Sequence, residues 1–547
     1  MAALFESLLA LPWPVTAILA ALFFVATLIL LYPDRAYGTR SRSDIPLAQE
    51  NKPLIGAMAA MAQGIDFRLE RLLEQVRRQG EGKPYRMTLY NPMFGPMDMI
   101  VISDVQDVET VLRDPYTFVK GGLLTSLLTD FLGQGIFTSD GERWHAQRKT
   151  ASHVFNVKNF RNFNGDFLHE VGYLIKHLEA ARDAGAVVDL QDLLLRCTLD
   201  SFGRLAMGSD FGCITQPGSV KEGRYALPTV EFMEAFDYVN GTVAVRAMQP
   251  FWQLQERLNG TTNKIKACQK IMSEFADKVI TDKRRKMEKG ETIGEDGKST
   301  DGRHADMLDY FMRTTNFDGG VPDDHELRDV CMNLIIAGRD TTAQTLTWVF
   351  YMLSSHPEVE AKCREEINRV FGKDGQPTYE KIKELKYLTA TFNETLRLHA
   401  NVPFNTPTCT KQTTLAGTGT TVYPGDIIQY SPWVMGRLQS IWGPDAEEFR
   451  PERWLDDGGS VKKENTFKWP VFKAGPRICL GMNMATQEAV TFMAQILRTY
   501  RLELVNEDDP SKWGKYDVDP AKRQGRYSSA LTLGLKGTVD FKVHLVQ

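Results

Sequence analysis

From Val15 to Leu31 (VTAILAALFFVATLILL) the chain is an almost unbroken apolar run, and no charged residue stands between Ser7 and Pro33. A helix needs about 17 to 25 such residues to cross a bilayer, so one N-terminal transmembrane helix is expected within residues 1–33. No small-residue cleavage site marks it as a removable signal. Asp34, Arg35, Arg40 and Arg42 follow it and only Glu6 precedes it. That excess of arginine places the rest of the chain on the cytosolic side.

Beyond the run the pattern changes period. Arg68 to Phe211 reads mostly as helices with short turns, with Leu89 to Ser103 more strand-like. The clearest element is a long helix starting at Asp323 or Asp324, just after Pro322, and running to His356, where Pro357 stops it. Its centre is apolar on most faces, which predicts burial. Strand signals return after residue 412, and YSSALTLGLKGTVDFKVHLV at the C-terminus reads as a hairpin. Lys289 to Arg303 is charged and glycine-rich, a surface loop. The fold class is therefore mainly α with a minor β region.

Composition narrows the function. The 547 residues are 43% hydrophobic and 24% charged, with a net charge of −4, which speaks against a nucleic-acid binder driven by bulk charge. The basic run from Lys283 to Lys286 has acidic residues on both sides and reads as a solvated helix face. Seven cysteines, widely spaced and without a C-x-x-C pair, fit neither a disulfide framework nor a zinc site. Three glycosylation-type triplets, at Asn240, Asn259 and Asn393, are chance matches in a cytosolic domain.

One cysteine stands apart. FKAGPRICLG, from Phe472 to Gly481, sets Cys479 after a Gly475-Pro476 turn and just ahead of a helical run. A sulfur before a helix N-terminus meets the positive end of the dipole and backbone N–H groups, which favour the thiolate. Glycine lets a flat cofactor approach the backbone, and Arg477 suits a carboxylate. With Phe472, Gly475, Arg477, Cys479 and Gly481 all in place, the string resembles the haem-binding signature F-x-x-G-x-R-x-C-x-G of the cytochromes P-450.

Other constellations share the resemblance. Glu394-Thr395-Leu396-Arg397 looks like the family's E-x-x-R and Pro451-Glu452-Arg453 like its P-E-R segment. The resemblance implies a buried triad of Glu394, Arg397 and Arg453 that locks the loop before the cysteine. Trp144-His145-Ala146-Gln147-Arg148 resembles W-x-x-x-R, whose two side chains hold a haem propionate, while His145 is a surface or propionate-side residue. In the long helix, Ala337-Gly338-Arg339-Asp340-Thr341-Thr342 resembles the family's oxygen-activating segment. There Gly338 is expected to open a groove toward the haem, and Asp340 and Thr341 to form the acid–alcohol pair that delivers protons.

The resemblance runs from about Pro53 to the end. It implies an anchor over residues 1–33, a linker over 34–52 and a haem domain over 53–547 with the cytochrome P-450 fold. The implied cofactor is heme b, with Cys479 as axial iron ligand. The family's animal ω-hydroxylases place a haem-linking glutamate where Ala337 stands, so non-covalent haem is expected. No G-x-G-x-x-G follows a strand, so electrons are expected from NADPH through a separate flavoprotein, NADPH-cytochrome P-450 reductase. The implied location is the endoplasmic reticulum membrane, single-pass, with the catalytic domain cytosolic.

AGRDTT, MGRLQSIWGPDAEEFRPERW and FKAGPRICLG together look like the plant and fungal fatty-acid ω-hydroxylases. The implied reaction inserts one oxygen atom from O2 into a C–H bond of a lipophilic substrate, here the ω-end of a fatty acid. Its pocket is expected to draw on the loop Gly121 to Phe137, on Phe232 to Phe251, on Asn333 and Ile336, on Val402 to Asn405 and on the hairpin around Ser529 to Leu531. One departure is Pro407, which stands about where that branch has a propionate-side arginine. The alternatives are a lipid hydroperoxide isomerase or dehydratase, which usually lacks the acid–alcohol pair, and a monooxygenase of sterols or terpenoids. A non-catalytic haem sensor is disfavoured by the complete catalytic helix.

Overall fold

The computed structural model describes residues 12–92, 94–155, 157–246, 249, 251–289, 305–314, 320–372, 375–514 and 525–546. Residues 290–303 of the expected surface loop lie outside the described residues.

The longer helices are, in chain order, α1 (Trp13–Leu31), α2 (Ile65–Gln79), α3 (Gly121–Leu132), α4 (Gly141–Ser152), α5 (Val157–Asp183), α6 (Leu190–Met207), α7 (Glu231–Arg246), α8 (Thr261–Glu288), α9 (Asp324–Leu353), α10 (Pro357–Phe371), α11 (Lys386–Leu398) and α12 (Met482–Thr499). Two small sheets sit beside them. One orders Tyr85–Asn91, Gly95–Val101, Ile427–Gln429, Thr408–Cys409 and Phe118–Val119; the other orders Tyr500–Leu504, Asp540–Leu545, Val187–Asp189, Arg224–Ala226 and Ser219–Lys221. The protein is mainly α with a minor β region.

Helix α1 is long and apolar enough to cross a membrane, about 28 Å at 1.5 Å per residue. None of its residues is buried against the protein. Its apolar surface is therefore left for another solvent.

Helix α9 is the axis of the core. A capping box starts it: the Asp323 carboxylate accepts from Glu326 N at 2.8 Å, and Glu326 accepts from Asp323 N at 3.3 Å. Pro357 does not merely end the element; it opens α10 from the first-turn position, where its missing N–H costs nothing. Along its middle α9 lies against α6, and the crossing is closed by Gly338. A Cβ there would stand 2.0 Å from the Phe202 ring. Gly338 thus lets α9 and α6 pack closely. A glycine in mid-helix costs about 1 kcal/mol against alanine, and the close helix contact is its return.

Three further expectations are corrected. Gly121–Leu132 is a helix rather than a loop, because its leucines supply a helical apolar stripe that buries Leu127, Leu128, Phe131 and Leu132. The C-terminal hairpin is Tyr527–Ser529 with Leu533–Leu535 only; Asp540–Leu545 pairs instead with Tyr500–Leu504. In the basic run, Lys283 is buried and held by Asp306 and by Asp309 at 2.9 Å.

Candidate haem site

The loop before α12 is shaped by backbone geometry. Gly475 has φ +60°, and a Cβ on it would lie 2.4 Å from the carbonyl oxygen of Leu112. This glycine serves a close approach of protein to protein. Gly481 differs: it caps α12 at φ −82°, and a Cβ there would meet only ordinary contacts, 3.7 Å from Phe155 and 3.9 Å from the Cys479 sulfur. Packing within the protein does not demand a glycine at 481. Phe472 contributes its carbonyl, which accepts from Cys479 N at 2.8 Å.

Cys479 is the one cysteine with an exposed side chain; the other six are buried. Its sulfur is nonetheless deep among protein atoms, so its uncovered surface faces inward. Burial pushes its pKa up, opposed by the N–H of Gly481, by Arg148, by Lys473 and by the N–H of Met482. The thiol is therefore harder to ionise than usual, contrary to the expectation from the helix terminus alone: desolvation outweighs the dipole. A metal ion reverses this, since a coordinating thiol is deprotonated outright.

Beside the loop lies a crowd of basic side chains. Arg477 reaches Asp140 at 2.5 Å and lies 4.2 Å over the buried Trp144 ring; its Nε and Nη1 are buried with no hydrogen-bond partner. Arg148 stacks at 6.0 Å from the same ring. Two lysines that sequence reasoning missed complete the group. Lys120 donates to the Ser139 carbonyl at 3.1 Å and to that of Ile136. Its pKa is pushed down to about 6 by burial and then by Lys473 and Arg477; that of Lys473 falls to about 8, by burial and then Arg477. Asp140 is the carboxylate that opposes them, and it also accepts from Lys120 N at 3.0 Å. Two orphaned guanidinium nitrogens among crowded basic side chains suit carboxylates, and a haem brings two. The residues present fit the group. Lys473 stands inside the signature string, but nothing in the spacing ties Lys120 to it.

On α9 the middle residues that keep some exposure are Leu334, Ala337, Thr341 and Gln344. Steps of three and four put them on one stripe. Thr341 Oγ1 donates to the Ala337 carbonyl at 2.7 Å. Asp340 points elsewhere. Its carboxylate accepts from Arg339 at 2.8 Å and from Asn240 Nδ2 at 2.5 Å, and Arg339 in turn holds Asp237 at 2.5 and 3.0 Å. Burial pushes the Asp340 pKa up to about 6, against the pull of Arg339.

The third cluster is closed on itself. Glu394 and Arg397 form a fork at 2.7 Å in both arms, and Arg453 Nε donates to Glu394 at 3.1 Å. Trp454 Nε1 and Arg450 N supply further donors at 2.9 and 2.8 Å. Arg397 also caps the carbonyls of Gly436, Ala446 and Glu448.

Of the expected pocket residues, Asn333 is spent on structure: it accepts from Phe137 N at 3.0 Å and donates to the Leu132 carbonyl at 2.7 Å. Ile336 is buried. His145 is exposed at the edge of Trp144. Pro407 lends its carbonyl to Ile428 N at 2.8 Å.

A helical protein with an inward-facing thiol at a helix start, beside a cradle for carboxylates, is of the haem-thiolate class. The cytochrome P-450 family model matches residues 64–515. The chain is 34% identical to cytochrome P-450 monooxygenase cyp1 of Mycosarcoma maydis, covering 88% of this chain and 74% of that one. It is 33% identical to cytochrome P-450 86B1 of Arabidopsis thaliana, over 83% and 80%. To cytochrome P-450 CYP94D108 of Paris polyphylla it is 34% identical, over 75% and 79%. The chain belongs to the cytochrome P-450 family. It is a monooxygenase, working with haem-thiolate iron, a redox partner and a lipophilic substrate.

Proposed function

We propose that this chain is a membrane-anchored monooxygenase that hydroxylates fatty acids, at or near the ω-end, with heme b held by Cys479. The observation that carries the haem assignment is the inward-facing Cys479 sulfur beside the incompletely paired Arg477. In this reading Arg477, Arg148, Lys120 and Lys473 take the two propionates, the lysines standing in for the arginine absent at Pro407, and Trp144 forms the wall beneath them. Ala337 offers no carboxylate for a covalent link, so the haem is released by denaturants. When bound, the haem supplies the redox chemistry, in which one atom of dioxygen goes to a C–H bond and the other to water.

The protein's own part is orientation, dryness and protons. Leu334 and Ala337 on the exposed stripe of α9 present apolar surface to a hydrocarbon chain and exclude water. Thr341 holds a hydroxyl on the same stripe, free to turn its proton from the Ala337 carbonyl toward the reaction space. Asp340, with a pKa near the working range, is suited to carry a proton to it. Helix α1 fixes the enzyme in the endoplasmic reticulum membrane with its catalytic domain in the cytosol, beside a lipid substrate and a membrane-bound NADPH-cytochrome P-450 reductase.

The fatty-acid reading rests on the resemblance of AGRDTT, the P-E-R region and the cysteine loop to that branch, and on the apolar stripe. Titration of the haem-loaded protein with fatty acids, following the haem spin state, tests it. Saturable shifts strongest for medium or long chains, followed by terminal hydroxylation in product analysis, are expected. No shift with any fatty acid, in protein whose reduced carbonyl complex carries the thiolate spectrum, would overturn the substrate while leaving the chemistry.

A further inference from the structure

Asn240 entered as an unused glycosylation-type triplet, yet it is buried in α7 with both ends of its amide spent. Nδ2 donates to Asp340 Oδ2 at 2.5 Å, and Oδ1 accepts from the backbone N–H of Leu531 at 3.2 Å. Leu531 lies in the turn between Tyr527–Ser529 and Leu533–Leu535. That hairpin also touches the exposed stripe of α9: a Cβ on Gly534 would stand 2.8 Å from Gln344 Oε1. A molecule lying along the stripe therefore meets the hairpin whose tip Asn240 holds.

The other charges around Asp340 run outward. Its carboxylate is 4% exposed, Arg339 is 1% exposed and Asp237 is 48% exposed, a line from the interior to the surface of α7. With Oδ1 on Arg339 and Oδ2 on Asn240, the carboxyl is turned toward α7 and away from the stripe that carries Thr341. For Asp340 to serve Thr341 its side chain must rotate, and both Asn240 and Arg339 must release it first. Only a side chain with a donor and an acceptor at this length makes both bonds: leucine makes neither, and aspartate sets carboxylate against carboxylate.

We infer that Asn240 is a positioning residue that couples the seating of the 530–532 turn to the carboxyl of Asp340, so that a substrate displacing the turn frees Asp340 to face Thr341. This rests on the reading of Asp340 as a proton carrier given above. The coupling runs through one two-ended amide, which makes it open to a double-mutant cycle.

The test uses the full-length haem-loaded enzyme with reductase, NADPH and dodecanoic acid, comparing wild type, Asn240→Leu, Asn240→Gln, Asp340→Asn and the Asn240→Leu/Asp340→Asn double variant. Asn240→Leu is expected to keep the spin-shift affinity within about twofold. It should also free Asp340 while the turn is still seated, raising peroxide release from NADPH in the absence of substrate at least about threefold, speed hydrogen exchange in the peptide carrying Leu531, and have no further effect on peroxide release in the Asp340→Asn background. Asn240→Gln should recover part of the coupling. Equal effects of Asn240→Leu in both backgrounds would overturn the inference, as would unchanged peroxide release without substrate despite faster exchange at Leu531. Unchanged coupling in Asp340→Asn alone would overturn the proton-carrier reading and the inference with it. If dodecanoic acid gives no spin shift, the substrate assignment fails by itself, while peroxide release and exchange still decide the role of Asn240.

Discussion

Two charge clusters, one buried and one half-buried, are opposites. Around Glu394 every nitrogen and oxygen of the charged groups is engaged: two arginines, Glu394, Asp445, a tryptophan N–H and a set of backbone carbonyls. Around Arg477 two lysines and an arginine crowd against a single aspartate, and two N–H groups stay orphaned. A buried ion network that closes on itself needs nothing more and fixes shape. One left open is costly in the protein alone, and its cost is recovered when an anion arrives. The balanced cluster is framework; the unbalanced one is a binding site.

The contrast can be broken from either side. Cys479→Ser should abolish NADPH-dependent turnover and the thiolate spectrum, yet change the unfolding free energy of the haem-free protein, measured in urea, by less than about 1 kcal/mol. Glu394→Gln should do the reverse in kind. It strands Arg397 without its anion and leaves Arg453 only Asp445, at a cost of about 3–5 kcal/mol, visible as lost stability in haem-free and haem-loaded protein alike. If Glu394→Gln unfolds at the wild-type midpoint, the balanced cluster is not framework.

Lys473→Met should split the two states. It relieves crowding, so haem-free protein gains on the order of 1 kcal/mol, while haem loss, followed by transfer to an apo-acceptor, becomes faster. Equal shifts in both states would remove Lys473 from the cradle. The smallest effect is a slope. The pKa of Lys120 is depressed in the folded state, about 6 against an ordinary 10.5. Between those values the unfolded chain holds a proton that the folded chain has released. Stability therefore rises with pH across that window, and the penalty is complete below about pH 6. Haem carboxylates should raise the Lys120 pKa and flatten the slope; urea midpoints at a series of pH values, with and without haem, measure it.

What the sequence reveals of this molecule follows the range of the interaction. The start of α9 is legible because Pro322, Asp323 and Glu326 act within one turn. Glu394, Arg397 and Arg453 are legible through a resemblance whose short motifs each fall inside one element. Gly338 is visible as an anomaly in an apolar helix, but its partner Phe202 lies on another helix, and only the fold says that the glycine faces it. Lys120 is hidden for the same reason: neither Lys473 nor Arg477 is near it in sequence. Helix α3 is masked because two glycines and two threonines dilute its leucine stripe. The last strand chose a partner before the hairpin, a pairing that no local turn announces.

The same ranges order the assembly of the protein in time. The bond from Arg453 to Glu394 closes 59 residues, whereas that from Arg477 to Asp140 closes 337. Loop-closure entropy makes the second about 1.5 kcal/mol dearer to form from a flexible chain. The knot behind the cysteine loop is thus expected to tie early in folding, and the cradle beneath the haem to close late. An unfinished cradle admits a rigid, flat cofactor more easily than a finished one, so haem would be captured by a folding intermediate, and haem supplied during synthesis should load the enzyme more completely than haem added afterwards.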